Sequence, residues 1–110
     1  MKSYLIDEIS GQEIIKIRDF LKKNAISSGV DGLFWIKFPD DILTQTQFEH
    51  VECKPHVFAI ELGHDWIKFE FFVRSLKKMK CLCPDFCTNQ QRNHVIKFAD
   101  NMINSLGINT

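Results

Sequence analysis

At 110 residues the chain has the size of one domain, and that length can bury roughly two-thirds of the surface exposed when unfolded, enough for one hydrophobic core. Its composition, 45% hydrophobic and 25% charged, excludes the disordered, collagenous and mucin-like classes. Fourteen basic residues balance fourteen acidic ones, so no net field favours nucleic acid, an anionic membrane surface or an acidic substrate.

Near the N-terminus, Tyr4-Leu5-Ile6 runs straight into Asp7 and Glu8, too short an apolar stretch for a secretory signal. Leu33-Phe34-Trp35-Ile36 is ended by Lys37, far short of the ~20 apolar residues a membrane span needs. A cytoplasmic, bacterial-type soluble protein is therefore expected. In a reducing compartment four cysteines stay free or bind metal more readily than they form a disulfide scaffold.

Ser10-Gly11-Gln12-Glu13 has the pattern of a capping box, and Ile14, Ile17, Leu21 and Ala25 follow at helical spacing. They predict a helix from about 10 to 24, ended by the turn-forming run 27–32 with its two glycines. Leu33 to Phe38 is aromatic and β-branched and stops at Pro39, which cannot donate to a ladder; it predicts a strand. Thr44 to Gln47 supplies a second capping pattern, with Phe48 and Val51 three apart on a short helix to about residue 52.

His56 to Leu62 alternates through Phe58, Ile60 and Leu62, and Gly63-His64 suits a two-residue turn into a strand from Asp65 to Arg74. Successive strand side chains point to opposite faces, so Ile67, Phe69, Phe71 and Val73 share the core side. Lys78 to Cys83 forms a candidate fourth strand. Thr88 to Gln91 is a third capping box, followed by Val95, Phe98, Ala99, Met102 and Leu106 and by Gly107 at a C-cap position; it predicts a helix over about 90–106. The fold expected is a single α+β domain over 1–110: a two-layer sandwich in which an antiparallel sheet of three or four strands carries the N- and C-terminal helices on one face.

Chemistry concentrates in His50-x2-Cys53 and Cys81-x-Cys83-x3-Cys87, with His56 nearby. Zinc takes four tetrahedral ligands drawn from thiolate and imidazole, often as close pairs. The expected ligands are Cys53, Cys81 and Cys83, with His50, Cys87 or His56 as the fourth, making zinc the candidate cofactor. The spacings are not standard, and buried apolar thiols or a redox disulfide remain alternatives. Cys87 precedes the Thr88 cap, where a helix dipole would favour thiolate. A nucleophilic pair of Cys53 with His50 or His56 is a further option. His64 and His94 read as exposed, and Glu61 and Glu70 as solvated strand residues.

Arg74, Lys77, Lys78 and Lys80 make a basic run that reads as a solvated hairpin end, not a nucleic-acid site. Opposite the core face, alternation leaves Trp35, Trp66 and Phe72 with Lys68, Glu70 and Arg74, a surface for a protein partner or homodimer unless loops cover it. The function expected is a noncatalytic binding or assembly module with structural zinc. The competing class is a small thiol- or zinc-dependent enzyme using the same cluster.

Overall fold

The computed structural model describes residues 2–77 and 84–108. In chain order they form strand β1 (Ser3–Ile6), helix α1 (Gly11–Asn24), strands β2 (Ile26–Ser27) and β3 (Leu33–Lys37) and helix α2 (Gln45–Glu49). Strands β4 (His56–Leu62), β5 (Ile67–Glu70), β6 (Phe72–Ser75) and β7 (Asp85–Phe86) and helix α3 (Asn89–Ser105) complete it. Turns of 3-10 helix at Asp40–Ile42 and Val51–Cys53 flank α2.

The caps read from the sequence set the helix ends. Ser10 and Glu13 satisfy each other's backbone amides at the start of α1, and Thr88 and Gln91 do the same for α3. Burial of Ile14, Ile17 and Leu21, spaced three and four apart, fixes the inward face of α1. At the far end of α3, Gly107 takes a positive φ of 69°, its amide donates to the Asn104 carbonyl, and the Ile108 amide donates to Ile103. That is a Schellman cap, and the buried pair Ile103 and Ile108 supplies its apolar contact.

All strand pairings are antiparallel, in the order β1-β5-β4-β3-β2, with β6 pairing both β4 and β7. Among the described residues the sheet has seven strands, which corrects the expected three or four. β2 and β7 have two residues each, too few to show alternation, and β1 lies in the segment read only for its lack of a signal. The candidate strand Lys78 to Cys83 lies outside the described residues.

The expected strand 65–74 is divided at Phe71. Between the Ile60–Phe69 and Val57–Arg74 pairings, β4 advances three residues while its partner advances five, so the partner bulges and bends. At the bend the Phe71 amide donates to Lys2, and its carbonyl accepts from Cys87. Alternation survives: Ile67, Phe69, Phe71 and Val73 are all buried, as expected. The β4–β5 connection is longer than the predicted two-residue turn, with Gly63 donating to the Trp66 carbonyl. Gly63 is required there because the Trp66 ring occupies the place of a Cβ, 2.2 Å from where one would stand.

The inward side chains of β3, β4, β5 and β6 form one core with the buried residues of α1 and α3. Phe38 and Phe58 meet edge to face at 5.1 Å, and Phe58 meets Phe98 at 5.7 Å.

Candidate functional site

α2 and the turn after it carry the first ligand pair. Thr44 caps α2 and the Gln47 side chain closes the capping box by accepting from the Thr44 amide. This draws Gln47 inward until it is buried, while Phe48 and Val51, the apolar pair three apart, are 52% and 65% exposed. Lys54 places its ammonium 4.8 Å over the Phe48 ring.

The chain then tightens into the 3-10 turn Val51–Cys53, in which the Cys53 amide donates to the His50 carbonyl at 3.0 Å. Residues three apart eclipse in such a turn, so His50 and Cys53 lie on one side. His50 Nδ1 stands 3.9 Å from Cys53 Sγ, and Glu52 brings a carboxylate oxygen so that the three donor atoms all lie within 4.8 Å of one another. Cys53 is fully buried, its carbonyl accepts from the Ser75 hydroxyl, and its sulfur is disulfide-bonded.

Cys81 and Cys83 lie outside the described residues. Cys87 is placed apart from His50 and Cys53. Its amide bonds to Phe71 at one end of β6, whereas Cys53 bonds to Ser75 at the other. Four residues of strand separate those anchor points by ~13 Å. The expected thiolate at the start of α3 is corrected as well: Cys87 is half-buried, and burial followed by the charge of Glu70 pushes its thiol up to about 11 against the weaker pull of Arg92. Desolvation is the dominant influence on this thiol.

His56, the remaining alternative ligand, begins β4 opposite Ser75 and is buried. Burial first, then Lys54 and His50, holds its pKa below the ordinary imidazole range, and Asp40 opposes them. It is not a member of the three-donor group. His64 is exposed as expected, but His94 is not: its ring lies 6.0 Å from Phe38, and burial lowers its pKa.

The outward side of the sheet carries the second feature. Ile26 stands opposite Trp35, Leu33 opposite Glu61 and Leu5 opposite Lys68, so these side chains share that face. Lys68 pairs with Glu61 at 3.4 Å, and Arg74 grips both oxygens of Glu70 at 2.8 and 3.0 Å. Arg74 thus belongs to this face instead of a free basic run; Lys78 and Lys80 lie outside the described residues. Leu33, Trp35, Ala59 and the four charged residues line an open depression of about 280 Å³. Phe72 stacks edge to face on exposed Phe86, and Trp66 lies against Gly63 with Lys68 6.0 Å from its ring.

Glu52 is the donor that sequence reasoning missed, although the run His50-Val51-Glu52-Cys53 held the signal. Among the described residues no helix is long and apolar enough to cross a membrane. No protein-family model, curated protein or solved structure matches the chain.

Proposed function

We propose that the protein is a noncatalytic assembly module of the cytoplasm, built as two layers with α1 and α3 on one side of the sheet, that pairs with a second copy of itself through the other side. The open depression beneath Leu33 and Trp35 carries this proposal. A face with Leu5, Ile26, Leu33, Trp35 and Phe72 around two acids and two bases is apolar at its contacts and neutral in sum. An isologous two-fold contact sets the same patch against itself, and a patch of balanced charge can meet its own copy without net repulsion. Sedimentation of the wild type and of Trp35→Glu tests the pairing, since a charge placed in a desolvated contact disrupts it. Trp35 is a better probe than Trp66, whose ring also packs the β4–β5 connection over Gly63.

A structural zinc ion at the His/Cys cluster belongs to the same proposal, with Cys53, Cys81 and Cys83 as thiolates once the Cys53 disulfide is reduced, and His50 in preference to Cys87. The nearness of His50 Nδ1 to Cys53 Sγ supports it. Zinc content of protein purified without added metal, before and after Cys81→Ser, tests this part. The competing enzyme gains little support from the described thiols: Cys53 is sealed from solvent, and Cys87 stays protonated near neutral pH.

A further inference from the structure

We infer that His50, Glu52 and Cys53 form a three-donor chelate for one zinc-class divalent ion, available only when the Cys53 disulfide is reduced. This rests on the zinc reading above and changes it in two ways: the Glu52 carboxylate takes the place of one of the Cys81 and Cys83 thiolates in the four-ligand set, and binding requires reduction. Tetrahedral zinc with a sulfur at about 2.3 Å and a nitrogen at about 2.0–2.1 Å sets those two ligands about 3.6 Å apart. The observed 3.9 Å between His50 Nδ1 and Cys53 Sγ needs only a few tenths of an ångström of adjustment. The same short turn holds the Glu52 carboxylate within 4.8 Å of both, so three ligands come from four consecutive residues and ordering one turn assembles them. Nitrogen, oxygen and thiolate sulfur together suit zinc, whereas magnesium and calcium prefer oxygen alone.

The disulfide sets the condition, because the thiolate is the metal ligand and a disulfide sulfur carries no such charge. Exchange with two equivalents of a small thiol transfers two electrons and two protons to the bridge. The small thiols leave as their own disulfide, and Cys53 is released as a thiol. Metal binding then releases the Cys53 proton to solvent.

The test titrates the full chain, metal-free and anaerobic, with cobalt(II) as a spectroscopic probe and zinc as competitor. Phosphine-reduced and oxidised protein are compared. The reduced wild type is expected to bind one ion with a thiolate-to-cobalt charge-transfer band, and the oxidised protein none at this site. Glu52→Gln should weaken binding by about tenfold or more, the scale of loss already caused by removing groups that merely support a ligand, while keeping the thiolate band. Glu52 is exposed, so this variant keeps its fold, and Glu49→Gln one turn away should bind as the wild type does. Wild-type affinity in Glu52→Gln would overturn the carboxylate ligand and leave the zinc reading standing. Equal binding by oxidised protein would overturn the redox condition, and no binding by reduced wild type would overturn both inference and zinc reading.

Discussion

Gln91 donates from Nε2 to Gln47 Oε1 at 2.9 Å, joining the capping boxes of α3 and α2 through their own third residues. The same Nε2 also donates to the Ile42 carbonyl at 3.0 Å, and each glutamine oxygen accepts the backbone amide of its threonine cap. Both side chains are buried, so these bonds replace water that cannot reach them. The link fixes the position of α2, and through it the turn that carries His50 and Cys53.

Gln91→Ala is therefore expected to cost about 1–3 kcal/mol, since it takes a donor from the buried Gln47 oxygen and from the half-buried Ile42 carbonyl. Urea denaturation measures it. Residues in one hydrogen-bonded network couple, so the double variant with Gln47→Ala should cost less than the sum of the single ones.

Phe69 is fully buried in β5, and Phe48 is half exposed on α2. Phe69→Ala should lose about 3–5 kcal/mol, whereas Phe48→Ala should stay within about 0.5 kcal/mol. Equal losses would show that α2 turns Phe48 inward, contrary to the burial of Gln47.

His94 predicts a pH dependence. Its folded pKa lies below the ordinary value near 6.5 because burial disfavours the charged ring; Asp41 pulls upward and Lys97 downward. The stability held by neutral His94 is thus present above the unfolded value and is lost as pH falls through the lowered folded one. Thermal melts from pH 7.5 down to about 4 should show His94→Gln losing less stability with acid than the wild type does. Parallel curves would contradict the assignment.

Cys87 should resist alkylation near neutral pH and react only as pH climbs toward its raised value of about 11. Site-resolved mass spectrometry after pulses of iodoacetamide measures this. Rapid modification at pH 7 would restore the dipole-activated thiolate expected from its place before α3.

Where signals are local, the sequence was legible. Ser10 with Glu13 and Thr88 with Gln91 mark helix starts within four residues, and the alternation through Ile67, Phe69, Phe71 and Val73 survives even a bulge. What was not legible depends on distant partners. Gln47 turns inward, and Phe48 outward, in answer to Gln91, 44 residues away. β2 and β7 exist because β3 and β6 offer them edges to pair with. In the candidate site, His50 and Cys53 were readable from their spacing, but Glu52 becomes a donor only once a 3-10 turn sets its carboxylate beside them. The departure of Cys87 from that group follows from its backbone bond to Phe71, which no spacing announces.

The central claim is association through the outward sheet face, and sedimentation velocity of the wild type beside Trp35→Glu over a wide range of concentration tests it most directly. The wild type should sediment as a dimer, and Trp35→Glu as a folded monomer with an unchanged circular-dichroism spectrum. A wild type that stays monomeric at every concentration, or a Trp35→Glu variant that dimerises as well as the wild type, would contradict it.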